Sequence, residues 1–225
     1  MLNKPISHIT PFSLLDYPNQ SACILWYAGC NMRCLYCYNP EIVLGKGKYS
    51  FQELLPFFEK RIGLLDGVVL SGGECLLHKN VALHIQQLKT MGFLVKIDTN
   101  GSNPDLLAQL IQENLIDYVA LDFKSLAFTF QEITQSDLFA NFERSFALLQ
   151  KHTIPFELRT THHSSLLSVE AINQMIQYLE KKNYRGNYYL QAFKNKTETL
   201  TDLPHSFPIS ADKLLLPSSF LVNFR

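Results

Sequence analysis

The sequence predicts an α/β protein built on a parallel sheet, and three observations support this. Short apolar runs rich in strand-forming residues alternate with helical stretches along the chain. Six such units can be counted, fewer than the eight of a closed barrel. Polar motifs follow the predicted strands, where parallel α/β sheets bind their ligands. The 225 residues suit one domain with a sizeable core, so we expect a single domain over 1–225.

Local patterns define each element. Ser21 to Ala28 is an apolar run bounded by Gly29, and Asp66 to Leu70 is a second one. Further strands are predicted over 93–98, 118–123, 156–161 and 188–193. Helices are predicted over 51–60, 80–91, 104–114, 137–151 and 168–182, the first with a capping box at Ser50. Residues 6–20 form a lead-in of mixed polarity. The proline-containing tail, 194–225, is predicted to be irregular.

Composition limits the classes of function. Lysine plus arginine equal aspartate plus glutamate, at 20 each, so charge favours neither nucleic acid nor an anionic membrane as a partner. The sequence begins without a signal peptide and contains no long apolar segment. Five cysteines in such a chain indicate thiols or ligands rather than disulfides. We therefore expect a cytoplasmic protein.

The main functional signal is a cysteine loop after the first predicted strand. Cys30, Cys34 and Cys37 have the spacing C-x3-C-x2-C, and Tyr36 makes the pattern C-x3-C-x-aromatic-C. Closely spaced thiolates favour zinc or an iron–sulfur cluster. Structural zinc normally takes four protein ligands, whereas three cysteines suit a four-iron cluster with one open iron. Three cysteines that cluster by chance are the alternative.

Polar residues follow the other predicted strands. Gly72 and Gly73 would let the backbone approach a ligand, and Glu74 could pair with an ammonium group. The remaining candidates are Asp98, Asn100, Asp122, Lys124, Arg159 and Gln191. Each alone could be a turn former or a structural ion pair. Together they predict a ligand site at one edge of the sheet.

These motifs resemble those of the radical S-adenosylmethionine superfamily. The likeness runs from about Phe12 to Phe193 and implies a partial (β/α)6 barrel of parallel strands. Within the superfamily, the Asp98–Gly101 and Leu121–Lys124 segments resemble activating enzymes of glycyl radical enzymes. Residues 12–18 and 159–161 resemble in particular the activating proteins of anaerobic ribonucleoside-triphosphate reductase. Cys75 replaces the usual proline of the Gly-Gly-Glu motif, and Tyr38 replaces a common histidine.

The resemblance implies two cofactors, a [4Fe-4S] cluster and S-adenosyl-L-methionine. The cluster would be held by Cys30, Cys34 and Cys37, which are also the catalytic candidates. Contacts to S-adenosylmethionine are implied for Tyr36, Asn39, Gly72, Gly73, Glu74, Asp98, Asn100, Asp122, Lys124, Arg159 and Gln191. Cys75 and Cys23 are expected to be buried thiols, and His162 and His163 to be loop residues outside the site.

The implied activity is reductive cleavage of S-adenosylmethionine to a 5′-deoxyadenosyl radical, which would generate a glycyl radical on anaerobic ribonucleotide reductase. The implied partners are this glycyl radical enzyme and a reductant such as flavodoxin or ferredoxin. One alternative is a radical enzyme acting on a small molecule, such as a 7-deazapurine precursor. Another is a non-catalytic module in which the three cysteines and a histidine hold zinc.

Overall fold

The computed structural model describes residues 4–225 and places eight strands in one sheet. In chain order these are β1 (Ile6–Ser13), β2 (Ala22–Tyr27), β3 (Gly67–Gly72), β4 (Leu94–Thr99), β5 (Tyr118–Asp122), β6 (Phe156–His162), β7 (Asn187–Ala192) and β8 (Leu221–Phe224). Their order in the sheet is the same. Strand β1 is antiparallel to β2, and every later pair is parallel. The sheet is not closed into a barrel, and β1 and β8 form its edges. The predicted α/β class is confirmed.

Helices connect the strands. They are α1 (Pro40–Leu44), α2 (Phe51–Glu59), α3 (Val81–Thr90), α4 (Pro104–Gln112), α5 (Ala127–Thr134), α6 (Phe139–Lys151) and α7 (Val169–Lys181). The six predicted strands correspond to β2–β7, and the five predicted helices to α2, α3, α4, α6 and α7. At the start of α2 the capping box is formed, since the Ser50 hydroxyl and the Glu53 carboxylate each accept the other residue's backbone N–H. Within residues 4–225, no helix has the length and apolar character needed to cross a membrane.

Two parts of the chain differ from the prediction. The lead-in contains β1, whose register shifts between Ile6 and His8 and again between Thr10 and Ser13. These irregularities break the period-two pattern that would have indicated a strand. The tail is not irregular throughout, because β8 pairs with β7, Leu190 opposite Phe224. A strand of four residues is too short to show a periodicity.

The two faces of the sheet have different environments. Along each strand, alternate side chains such as Cys23, Leu25 and Tyr27 of β2 join the main core with the helices. The other set faces the concave side, where Ile24 and Val69 form a small apolar cluster with Tyr17 and Ala22. Further along the strands, the concave face carries polar residues. This polar end is where the predicted site residues lie.

Candidate functional site

A pocket opens on the concave side of the sheet, at the carboxyl ends of the parallel strands. The predicted site residues that line it are Cys30, Cys34, Tyr36, Cys37, Asn39, Gly72, Gly73, Asp98, Asn100, Asp122, Lys124, Arg159 and Gln191. They come from β3 to β7 and from the connections that follow β2, β3, β4 and β5. Parallel strands bring their carboxyl ends to the same edge, which explains why residues so far apart in sequence meet here.

The cysteine loop, residues 29–39, is held by backbone hydrogen bonds on both sides. The amides of Arg33 and Leu35 donate to the carbonyl oxygens of Thr134 (2.8 Å) and Ile133 (3.0 Å) at the end of α5. Gly29 has a φ of +87°, which glycine adopts without strain. These contacts fix the backbone that carries Cys30, Cys34 and Cys37.

The thiols themselves are largely protected from solvent. Cys34 is buried, and Cys30 and Cys37 are half-buried. Burial raises the pKa of the Cys34 thiol to about 11, against the opposing effect of the Lys124 ammonium. A metal or cluster bound by the thiolates would supply the positive charge that favours ionisation. The environment is that of a ligand set rather than of free nucleophiles.

The donor set fits an iron–sulfur cluster. In the part of the chain from residue 4 onward, no three Cys, His, Asp or Glu side chains converge to hold a single metal ion. A four-iron cluster does not need such convergence, because each thiolate binds a different iron. The hydroxyl of Tyr36, between the second and third cysteines, is buried and has no hydrogen-bond partner among residues 4–225. An orphaned hydroxyl on the pocket wall is what a site built for a bound group would leave.

Gly73 lets the loop after β3 lie directly against the cysteine loop. A Cβ atom at Gly73 would lie 1.9 Å from the carbonyl oxygen of Gly29, closer than any real contact. Two hydrogen bonds join the segments here, from the Gly73 amide to the Tyr27 carbonyl (2.8 Å) and from the Glu74 amide to the Gly29 carbonyl (2.9 Å). The absence of a side chain therefore positions the two loops that form one wall of the pocket.

Glu74 differs from the expectation that its carboxylate faces the ligand. The side chain is fully buried and does not line the pocket. Its Oε1 accepts from the Leu76 amide (3.1 Å) and the Thr99 hydroxyl (2.8 Å), and its Oε2 accepts from the Asn100 amide (2.7 Å). Burial raises its pKa to about 7, although these hydrogen bonds oppose the shift. Glu74 thus braces the turn after β4 instead of reaching the pocket.

Asn100 connects the turn after β4 to the cysteine loop through side-chain hydrogen bonds. Its side-chain amide donates to Asn31 Oδ1 at 3.0 Å and approaches the sulfur of Cys30 at 3.8 Å. Asn31 in turn donates to the Ser102 hydroxyl at 2.8 Å. The turn after β4 and the cysteine loop are consequently one hydrogen-bonded unit.

Four charged side chains at the floor of the pocket and one beneath it form a single network, here called the floor network: Asp98, Asp122, Lys124 and Arg159, with Lys96 below them. Arg159 donates to Asp98 Oδ2 (3.2 Å) and, from two nitrogens, to Asp122 Oδ1 (2.9 and 3.0 Å). Lys124 donates to Asp122 Oδ2 (2.9 Å), and Lys96 donates to Asp98 Oδ1. Burial alone would raise the pKa of Asp98, but Arg159 and Lys96 hold it down to about 2. The pKa of Asp122 is likewise lowered against burial, by Arg159 and Lys124. The ion pairs also raise the pKa values of Lys124 and Arg159 against burial, so these two residues, Asp98 and Asp122 are charged at neutral pH.

Other pocket residues were not predicted: Asp16, Trp26, Met32, Tyr38, Val43, Ser71 and Thr161. Ser71 and Thr161 could have been found, since Ser71 adjoins Gly72 and Thr161 lies two residues beyond Arg159 on the same face of β6. Asp16 has no such signal, because it lies in the connection between β1 and β2. Its contact with the pocket depends on tertiary structure alone.

The C-terminal tail contacts the outer side of the cysteine loop. The Leu200 amide donates to the Cys37 carbonyl (3.2 Å), and the Lys194 amide donates to the Tyr38 hydroxyl (2.6 Å). His163 holds the tail through the Pro204 carbonyl (3.0 Å) and does not line the pocket. Cys23 and Cys75 are buried away from the pocket, as expected.

Comparison with known proteins agrees with this geometry. Residues 24–181, more than half of the chain, match the model of the Radical SAM superfamily. A Methanocaldococcus jannaschii protein named as a glycyl-radical enzyme activating enzyme is 31% identical over 85% of this chain and 80% of its own length. The pyruvate formate-lyase-activating enzyme of Clostridium pasteurianum is 32% identical, over 55% of this chain and 54% of that enzyme.

A solved structure shares the fold. That of anSMEcpe with bound AdoMet superimposes with a TM-score of 0.60 at 20% identity, over 74% of this chain and 48% of the other. The match therefore spans about half of that structure and of the Clostridium enzyme, but most of the Methanocaldococcus protein. Fold, cysteine loop and sequence likeness lead to one conclusion: the chain belongs to the Radical SAM superfamily, whose enzymes use a [4Fe-4S] cluster and S-adenosylmethionine.

Proposed function

We propose that this radical enzyme generates a glycyl radical on a partner protein, and that the partner is an anaerobic ribonucleotide reductase. The observation that carries the proposal is the likeness, over most of both chains, to a protein named as a glycyl-radical enzyme activating enzyme. The resemblance of residues 12–18 and 159–161 to activating proteins of that reductase supports the finer assignment. The cytoplasmic location stays a prediction.

In this proposal the three cysteines hold the cluster, and the pocket behind them binds S-adenosylmethionine. Bound together, these cofactors would supply one-electron reductive cleavage of the sulfonium C–S bond, and with it the means to remove a hydrogen atom from the glycine α-carbon. The reducing electron comes from a flavodoxin or ferredoxin. The chain itself has to bind, orient and shield the reacting groups.

The pocket residues suit these tasks. The floor network supplies fixed charges for the zwitterionic amino-acid end of S-adenosylmethionine. Backbone next to Gly72 and Gly73 can approach the ligand closely, and Tyr36 contributes to the pocket wall. Glu74 contributes by fixing the turn that carries Asn100, a role that replaces the direct contact expected from the sequence. Asn39 and Gln191 complete the lining of the pocket.

The open sheet suits a protein substrate. Because β1 and β8 are edge strands that do not pair with each other, the concave side is not enclosed by a full ring of strands. A glycine-bearing segment could enter from this side and bring its α-carbon close to the cofactors. A small molecule would not need such an opening.

The test uses anaerobically reconstituted protein, S-adenosylmethionine, dithionite and the purified anaerobic ribonucleotide reductase encoded by the same organism. We expect 5′-deoxyadenosine and an electron paramagnetic resonance doublet that collapses when the reductase is labelled with α-deuterated glycine. The Cys34→Ala variant is the matched control and should give neither product. If the reductase acquires no radical while a 7-deazapurine precursor is turned over, the small-molecule alternative replaces this function.

A further inference from the structure

Lys96 is a lysine buried inside the sheet, and no role was predicted for it. Its side chain is 2% exposed. It lies on β4 two residues before Asp98, on the same concave face but one layer deeper. Its register neighbours are Val69 on β3 and Tyr118 on β5. Lysine is rarely buried to this degree unless its charge is paired. The residue that pairs with Lys96 therefore indicates what Lys96 does.

That partner is Asp98. Within residues 4–225, Asp98 Oδ1 is the hydrogen-bond acceptor of the Lys96 ammonium. The other oxygen, Oδ2, accepts from the Ser71 hydroxyl (3.0 Å) and from Arg159 (3.2 Å). Lys96 therefore holds Asp98 from below, while the opposite side of the same carboxylate meets Arg159 at the pocket floor.

The charges of the floor network do not cancel. Three cationic side chains, Lys96, Lys124 and Arg159, meet two anionic ones, Asp98 and Asp122, which leaves one positive charge. Removing Lys96 would leave two of each sign and a neutral floor.

Within residues 4–225, the other acidic groups near the pocket make no hydrogen bond or ion pair with the floor network. The carboxylate of Asp16 accepts from the Ser13 hydroxyl, and that of Glu74 lies behind the pocket wall. Glu157 accepts from the Tyr118 hydroxyl (3.0 Å) and lies 3.8 Å from Arg225. The five-residue floor network therefore carries one excess positive charge that no other carboxylate in the described part of the chain contacts directly, and an anionic group of a ligand can pair with it.

We propose that Lys96 is a positioning residue that neutralises Asp98 from below and so keeps the pocket floor positive for the carboxylate of S-adenosylmethionine. The ammonium does not itself line the pocket. The carboxylate is the one anionic group of S-adenosylmethionine, so it is the group that a positive floor selects. This inference rests on the proposed function, in that the pocket is taken to be the S-adenosylmethionine site.

The test compares two ligands on cluster-loaded protein by anaerobic titration calorimetry: S-adenosylmethionine and its decarboxylated analogue. Lys96→Met should weaken binding of S-adenosylmethionine by about tenfold or more, the scale of one lost charge interaction in a dry site. Binding of the decarboxylated analogue should change by less than about twofold. Lys96→Arg, which keeps the charge, should restore part of the affinity.

A double variant separates the charge effect from damage to the fold. Lys96→Met with Asp98→Asn leaves Lys124 and Arg159 against Asp122, so the floor is again positive and no buried carboxylate lacks a partner. We expect its affinity for S-adenosylmethionine to exceed that of Lys96→Met. Because the double variant avoids an unpaired buried charge, it also serves if Lys96→Met does not fold. Iron content and thermal unfolding are measured for each protein.

The possible outcomes separate a failure of the Lys96 inference from a failure of the proposed function. If the wild-type protein binds no S-adenosylmethionine, the proposed function fails. If the wild type binds and Lys96→Met loses both ligands equally, or neither, the inference alone is wrong. A double variant no better than folded Lys96→Met also overturns it. Lys89→Met is the matched control, since Lys89 pairs with Asp117 (2.7 Å) outside the pocket and should leave both affinities unchanged.

Discussion

Substituting Gly73 by alanine tests whether the two loops of the pocket wall need direct contact. The new methyl group would lie 1.9 Å from the carbonyl oxygen and 2.6 Å from the carbonyl carbon of Gly29. Both atoms belong to backbone that the cysteine loop holds in place, so no flexible side chain can move aside. Gly29 directly precedes Cys30. We therefore expect the substitution to damage stability and the cluster site together.

The magnitude follows from two contributions. Forcing a methyl group into packed structure costs about 1–3 kcal/mol. Separating the loops also weakens the two hydrogen bonds between them, at about 1 kcal/mol each. The expected loss in free energy of unfolding is therefore about 3–5 kcal/mol. Gly63 supplies the control, because its φ is +75° but a Cβ atom there meets nothing within 4 Å. Gly63→Ala should cost only the left-handed backbone penalty of about 1–2 kcal/mol.

The assay is urea unfolding of both variants without cluster, under reducing conditions, followed by iron analysis after anaerobic reconstitution. Gly73→Ala should unfold at clearly lower urea than Gly63→Ala and should hold less iron. Equal unfolding midpoints with full iron in both proteins would refute the argument from loop contact.

Three further predictions concern the site and its support. Cys34→Ala should lose the cluster, and Cys75→Ala, at a buried thiol outside the pocket, should retain about four irons per chain by iron analysis. Glu74→Ala should lower the free energy of unfolding by about 3 kcal/mol in urea titrations, since it leaves three buried donors without their acceptor. Burial lowers the pKa of His84 from 6.5 to about 4, so the unfolded chain binds more protons between these values. Stability of the cluster-free protein should therefore fall by about 2 kcal/mol from pH 7 to pH 4 at this residue, and His84→Gln should flatten that dependence in urea titrations.

Each of these has a contradicting result. Iron retained by Cys34→Ala would remove that thiol from the ligand set. A Glu74→Ala protein as stable as the wild type, but with weaker S-adenosylmethionine binding, would favour the direct contact expected from the sequence. An identical pH dependence with and without His84 would assign the acid loss to other groups.

Much of the site could be predicted from the sequence, because in a parallel sheet the residues at the carboxyl end of every strand lie at the same edge. Arg159 and Gln191 lie far from the cysteines in sequence, yet each belongs to the pocket end of a parallel strand. Once strands and helices alternate, the carboxyl ends of the strands share one edge. The position of a motif after its strand was therefore enough to place it.

The direction of a side chain could not be predicted in the same way. Glu74 follows Gly72 and Gly73, and the backbone has a φ of +114° at Gly72. This turn carries the Glu74 carboxylate under the turn after β4, where Thr99 and Asn100 donate to it. The strand pattern predicts that a residue lies in the loop after a given strand. The backbone conformation of that loop decides whether the side chain faces the pocket or packs behind it.

Lys96 belongs to an alternating pattern that is visible in the sequence, but the pattern could be interpreted only once the fold was known. In β4, the apolar Val95 and Ile97 alternate with the charged Lys96 and Asp98, which indicates one face in the core and one polar face. On an exposed sheet such a polar face would lie in solvent. Here helices cover the outer face, and the pocket lies against the polar end of the other face. A lysine in that position cannot reach water and has to be paired within the protein. A polar period-two pattern in a predicted parallel sheet is therefore itself evidence of a ligand site, because the fold leaves that face nothing else to contact.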